Sequence, residues 1–185
     1  MKNQLIVISG PSGVGKGTIV NRLMERLNCA LSVSCTTRAP REGEVNGKSY
    51  FFITKEEFLK LIESNGLLEY SEHFENLYGT PRAFVEEQLA SHDVILEIEP
   101  DGALQAKKSH PEALLLMIAP PNEEELFARL HARGSETEES IQERVARSKY
   151  ELSKKDEYDY TIINDVLDKA VEEIVEIIKS RKIKE

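Results

Sequence analysis

LIVISGPSGVGKGT, Leu5 to Thr18, decides the fold, because it reads as strand, loop and helix in that order. Leu5 to Ile8 is an apolar run of strand character, Gly10 to Gly15 is a glycine-rich turn, and Lys16 opens an amphipathic helix. Glycines 10, 13 and 15 carry no side chain, so consecutive backbone N–H groups can point into one concavity that fits a polyphosphate. The helix that follows aims its partially positive N-terminus at the same place. Lys16 adds a mobile full charge suited to the β and γ phosphates of a nucleoside triphosphate. The stretch matches GxxxxGK[ST] through Lys16, with Gly17 in the hydroxyl position and the hydroxyl displaced to Thr18. The triphosphate site therefore comprises Gly10, Pro11, Ser12, Gly13, Val14, Gly15, Lys16, Gly17 and Thr18. Alone, this loop specifies nucleotide binding and leaves the reaction open.

Working outward, Ile19, Val20, Leu23, Met24 and Leu27 recur at helical spacing, with Asn21, Arg22, Glu25 and Arg26 turned the other way. A short strand is predicted at Ala30 to Ser34. The apolar pattern then lapses in CTTRAPREGEVNGKSYFF, where basic, hydroxyl and glycine residues crowd together. Thr54 and Glu57 have capping-box spacing and predict a helix carrying Phe58, Leu59, Leu61 and Ile62, ended near Asn65 and Gly66. LLEYSEHFENLYGT shows little period, and a helix is predicted from about Pro81 to Ala90.

Asp93 to Ile98 and Leu114 to Ala119 are continuous apolar runs of strand length, as expected for strands buried on both faces of a parallel sheet. Pro120 and Pro121 stop the second. Asn122 with Glu125 predicts a helix to about Arg133 and Gly134, and a charged helix should follow from Glu136 to about Lys154. Tyr160 to Ile163 reads as a last strand, followed by a terminal helix with Leu167, Ala170, Val171, Ile174, Val175 and Ile178 on one face. The expected fold is α/β: a parallel phosphate-loop sheet flanked by helices, forming a single domain over 1–185. Its core is expected at 1–32, 87–121 and 156–185, with an inserted lobe at 33–86 and a helical lid at 122–155.

Length and composition set the bounds. A chain of 185 residues with 40% hydrophobic and 31% charged residues is that of a globular protein with a real core. Its formal net charge of −9 argues against a broad nucleic-acid-binding surface, so any positive site must be local. No apolar run approaches the roughly 20 residues that span a bilayer, and Met1 to Gln4 leads straight into the first strand. A cytoplasmic protein without membrane or nucleic-acid partners is expected. Cys29 and Cys35 fit neither a disulfide framework nor a metal-ligand set and read as reduced, structural thiols.

The inserted lobe narrows the function. Ser34, Thr36, Thr37, Arg38, Arg41, Tyr50, Glu69, Tyr78 and Thr80 offer guanidinium groups, phenols, hydroxyls and a carboxylate. Arginine forks three residues apart suit phosphate oxygens, although an isolated RxxR is more often a solvated loop. At this point the chain resembles the guanylate kinases. The motifs ISGPSGVGKGT, SVSCTTRAPREGEVNGKSYFF, LLEY, LYGT, DVILEIE, IAPP, ARGSETEESIQERV and TIIND follow one another in that family's order over nearly the whole length.

The resemblance implies ATP-dependent phosphorylation of GMP, with dGMP a second acceptor and Mg2+ accompanying ATP. It implies that Arg38, Arg41, Tyr50 and Tyr78 hold the acceptor phosphate, that Ser34, Glu69 and Thr80 read the guanine, and that Gly79 and Glu99 belong to the same site. Lys16 and Arg38 would act in transfer with Arg133 and Arg144 from the lid, and Arg133 and Asn164 would also bind ATP. Arg147 shares a helical face with Arg144 and reads equally well as a lid arginine or a solvated charge. The chain departs from the family at Glu97 and Glu99, where many members carry an aspartate, and at Asp101, where glutamine is usual. With Gly17 lacking a hydroxyl, Mg2+ is expected on ATP oxygens and water, with few or no protein ligands. The alternatives are a non-catalytic interaction module or a kinase for another phosphorylated acceptor. The protein is expected as a monomer or homodimer.

Overall fold

The structure, a computed structural model, describes residues 2–73, 75–132 and 138–184, with the backbone alone at 138, 139, 183 and 184. In chain order the elements are β1 (Leu5–Ser9), α1 (Lys16–Arg26), β2 (Cys29–Leu31), β3 (Cys35–Thr36), β4 (Phe51–Phe52), α2 (Lys55–Glu63), β5 (Leu67–His73), β6 (Asn76–Pro81), α3 (Arg82–Leu89), β7 (Asp93–Glu97), α4 (Pro100–Ser109), β8 (Leu114–Ala119), α5 (Glu123–His131), α6 (Glu138–Ser153), β9 (Tyr160–Ile163) and α7 (Leu167–Lys184). A parallel sheet runs in the order β2-β7-β1-β8-β9. Strand alternation divides its side chains between two cores. Ile6 and Ile8 join α1 and α7 on one face, and Leu5 and Val7 join α3 and α4 on the other. Burial on both sides explains why β8 is apolar at every position.

The chain after α1 departs from the sequence reading. Instead of one strand at Ala30 to Ser34, β2 ends at Leu31 in the main sheet and β3 begins at Cys35 in a second sheet, ordered β4-β3-β6-β5. The intervening residues carry the chain from one sheet to the other, so a single run serves two layers. LLEYSEHFENLYGT, which has little period, contains the antiparallel strands β5 and β6. Its pattern is blurred because the register slips by one residue between Leu67 and Tyr70, a β-bulge that breaks alternation. Helix α2 carries the predicted box, with the Thr54 hydroxyl accepting from Glu57 N–H and the Glu57 carboxylate accepting from Thr54 N–H. Phe58 fills a small separate core with Cys35 and Leu67, while Leu59 faces solvent.

Helix α4 was not anticipated. Its signals are Pro100 at the first helical position, Asp101 in the first turn and Lys107 and Lys108 in the last. The helix beginning at Asn122 ends at His131, and α6 begins at Glu138. Among the described residues, no helix is long and apolar enough to cross a membrane. Both cysteines are free thiols, and burial pushes the Cys35 thiol up to about 12.

Gly10 fixes how the loop leaves the sheet. Its φ of 142° is one that side-chain-bearing residues rarely adopt, and a Cβ there would lie 2.2 Å from the Ile118 carbonyl oxygen on β8. Because that oxygen belongs to a central strand, it has no room to retreat. Gly10→Ala should therefore lower stability by at least about 2 kcal/mol, read from the urea unfolding midpoint. An unchanged midpoint would refute this close approach.

Candidate active site

The loop between β1 and α1 opens onto a cleft of about 290 Å³ lined by Ser12, Gly13, Gly15, Lys16, Gly17, Thr18 and Glu97. Lys16 Nζ donates to the carbonyls of Gly10 (2.7 Å) and Pro11 (2.9 Å), closing the loop over the helix start. Val14 is fully buried in the core, so it offers the site its backbone only. Asn164, just after β9, donates Nδ2–H to the Val14 carbonyl at 2.8 Å and braces the loop from behind. From α6, Arg144 reaches Ser12 Oγ at 3.1 Å, which brings the predicted lid helix to the loop. Arg133 lies outside the described residues. Glu97, at the end of β7, lies beside the first turn of α1. A Cβ on Gly17 would sit 3.7 Å from its Oε1. Burial pushes the Glu97 carboxyl upward, against the opposing pull of Lys16.

The second cluster sits on the small sheet. Arg38 engages Glu44 with two nearly parallel bonds, NH1 to Oε2 at 3.0 Å and NH2 to Oε1 at 2.8 Å. Glu44 also accepts the Arg41 backbone N–H at 2.7 Å. The Arg38 hydrogen bonds and the Arg41 amide hold the Glu44 carboxyl below its usual range. The Arg38 guanidinium lies 5.6 Å from the Tyr50 ring centre and 5.8 Å from that of Phe52, and Tyr50 meets Tyr78 edge-on at 6.1 Å. Thus Arg38, Tyr50 and Tyr78 converge, while the Arg41 residue is exposed. The Ser34 carbonyl accepts Phe51 N–H at 2.9 Å, which ties the crossing segment to β4. Sequence reasoning missed Glu44, whose role as the internal counter-ion has no signal beyond its place six residues after Arg38.

Glu69 owes its position to the bulge. A regular strand would send alternate residues to opposite faces, but Leu67, Leu68 and Glu69 are all buried. Leu67 enters the small core, Leu68 enters the main core, and Glu69, 6% exposed, accepts the Thr80 hydroxyl at 2.6 Å. Gln105 of α4 pins the bulge by donating to the Tyr70 carbonyl and accepting its N–H, at 3.0 and 3.2 Å. Gly79 pairs with Tyr70 on the opposing strand and accepts the Cys35 thiol. Gly102 forms the floor: a Cβ there would lie 2.7 Å from Glu69 Oε2. Burial pushes the Glu69 carboxyl upward, and the charge of Glu99 pushes it the same way, while the Thr80 hydrogen bonds oppose both. Glu99 stands at the N-cap position of α4 and pairs with Arg147 of α6 at 2.6 Å and His73 at 3.2 Å.

This geometry provides an anion-binding loop beside one carboxylate and, on a separate sheet, an arginine–tyrosine cluster near a buried carboxylate. Such a pairing suits two phosphorylated ligands, one of which has a base edge rich in N–H donors. A family model described as guanylate kinase matches residues 2–181. The chain is 52% identical over 180 residues to the guanylate kinase of Prochlorococcus marinus, covering 96% of this chain and 98% of the relative. It is 48% identical over 182 residues to that of Clostridium tetani, covering 98% and 88%. The crystal structure of guanylate kinase from Anaplasma phagocytophilum superposes with a TM-score of 0.75 at 32% identity, covering 97% of this chain and 86% of that one.

Burying Glu69 has a cost that depends on pH. Its folded-state pKa is raised, so the folded protein binds the proton more tightly than the unfolded chain, and stability falls as pH rises through that interval. Glu69→Gln removes this penalty while keeping an oxygen for Thr80. The variant should be more stable than the native protein at pH 8, with the difference shrinking toward pH 4. Thermal unfolding across that range checks it, and a variant less stable at pH 8 would contradict it.

Proposed function

The chain belongs to the guanylate kinase family and is a guanylate kinase, transferring phosphate from ATP to GMP, and we propose how its own residues carry this out. The observation that carries the reading is the buried carboxylate of Glu69 with Thr80. Guanine presents N1–H and a 2-amino group to such an oxygen pair, whereas adenine has neither. A buried carboxylate facing adenine would lose its partners at a cost of about 1–3 kcal/mol, enough for real selectivity. In this assignment Glu69, Thr80 and Ser34 read the base, with Gly79 and Glu99 lining the same site. Arg38, Arg41, Tyr50 and Tyr78 hold the acceptor phosphate. The segment 33–86 is then the acceptor lobe and 122–155 the lid, on a core of 1–32, 87–121 and 156–185.

The acceptor phosphate is already an anionic nucleophile, so no general base is needed. One of its oxygens attacks the γ phosphorus in line, the bond to the β–γ bridging oxygen breaks, and the electron pair leaves with ADP. The difficulty is electrostatic, because two polyanions must meet. Lys16 and the backbone N–H groups of the loop 10–18, which Pro11 shapes without donating, hold the donor. Arg38 exchanges Glu44 for the acceptor phosphate. Arg144 and Arg133 counter the charge that develops between the two and help exclude water. Asn164 supports the donor site through Val14.

Magnesium fits here as ATP's companion: Glu97 supplies a hard oxygen in the cleft beside Lys16 and would hold the ion through its water shell. Bound, it neutralises phosphate charge. ATP and GMP are the required partners, with dGMP as a further acceptor, and a monomer or homodimer of a cytoplasmic enzyme satisfies the reading equally.

ADP release with Mg-ATP should be strong for GMP and dGMP and near the no-acceptor control for AMP, CMP and UMP. Turnover of none of them would overturn the assignment. Because a methyl at Gly102 must displace Glu69, Gly102→Ala should raise the GMP KM at least about tenfold while leaving the ATP KM within about twofold. Equal changes in both would argue against Glu69 as the base reader.

A further inference from the structure

Arg144 and Arg147 stand three residues apart on α6 and therefore on one face of the helix. They reach different places. Arg144 NH1 is 3.1 Å from Ser12 Oγ in the phosphate loop. Arg147 NH2 is 2.6 Å from Glu99 Oε2, and its Nε donates to Glu151 Oε1 on its own helix at 2.9 Å. The second bond fixes the guanidinium, so Arg147 projects from α6 as a braced group.

Glu99 is in turn a junction. It belongs to the core, at the cap between β7 and α4, and its charge acts on the buried Glu69. The same Oε2 that accepts Arg147 lies 3.2 Å from Nε2 of His73, at the end of β5. The His73 ring stands 6.0 Å from that of Tyr78 in the acceptor cluster. One carboxylate oxygen thus joins the lid helix, the core and the strand that carries Glu69. A second lid contact, Lys154 with Asp101, ties the residue that follows α6 to the first turn of α4.

We infer that Arg147 is a positioning residue that couples the two nucleotide sites, holding the acceptor lobe through Glu99 and His73 when α6 engages the donor through Arg144. This rests on the assignment of the two sites given above. A helix seated on ATP presents Arg147 where it orders Glu99 of the core, and an acceptor lobe closed on GMP brings His73 to the same Glu99 oxygen. By linkage, each nucleotide then tightens the other by the same factor. An exposed ion pair adds little to stability on its own, so its consequence is read in coupling and not in folding.

The test is calorimetric titration of GMP into the full chain, with and without saturating magnesium and a non-hydrolysable ATP analogue. The native protein should bind GMP about tenfold more tightly with the analogue present, and Arg147→Ala should reduce that factor to within about twofold. Arg147→Lys should recover part of it. Lys149→Ala, which breaks the Lys149–Glu123 pair inside the lid, should leave the factor intact. An unchanged factor in Arg147→Ala, an equal loss in Lys149→Ala, or no tightening in the native protein overturns the inference while GMP binding itself remains. Failure of the native protein to bind GMP overturns the site assignment, and the inference with it.

Discussion

Two polyanions have to meet on a chain whose formal net charge is −9, and the arrangement of the candidate site answers that constraint. Much of the positive potential comes from backbone amides, which need no counter-ion and cost no net charge. The side-chain cations are held on internal acceptors: Lys16 on two loop carbonyls, Arg38 on Glu44, Arg147 on Glu99 and Glu151. In the proposed assignment a phosphate arriving at Arg38 would replace a carboxylate, and the guanidinium would move between partners without being buried alone. This makes ligand exchange reversible, which an enzyme that must release its product requires.

Base recognition meets the opposite constraint. Reading guanine needs a carboxylate out of water, and burial disfavours its charge. In the proposed assignment the fold meets this with one extra residue in β5. The bulge sends Leu67 and Leu68 into two different cores and leaves Glu69 between Thr80 and Gly102, where Gln105 ties the backbone in place. The same irregularity that positions the carboxylate anchors the lobe to the main core. Stability is given up at Glu69 and offset by its two apolar neighbours.

The main sheet was legible because buried parallel strands are continuous apolar runs, as Leu114 to Ala119 shows, and because the strand–loop–helix order of Leu5 to Thr18 leaves few alternatives. Helix α2 was legible from Thr54 and Glu57, since its cap is a local interaction. The β5–β6 pair was not, because a bulge erases period two, and Glu75, whose φ is 63°, carries no glycine signal. Helix α4 lacked a strong apolar face: its buried residues are Pro100, Gly102, Ala103 and Ala106, which pattern reading scores weakly. In the candidate site, the loop could be named from motif spacing, and the arginine–tyrosine set only through the resemblance to a family. Glu44, His73 and Gly102 could not, since their roles depend on long-range packing or on which cation turns toward them.

The most direct measurement is a structure of the protein bound to GMP. The guanine edge should lie within hydrogen-bond distance of Glu69 and Thr80, with the Arg38 guanidinium turned from Glu44 onto the phosphate. Guanine bound away from Glu69, or Arg38 still paired with Glu44 while other groups hold the phosphate, would contradict that assignment.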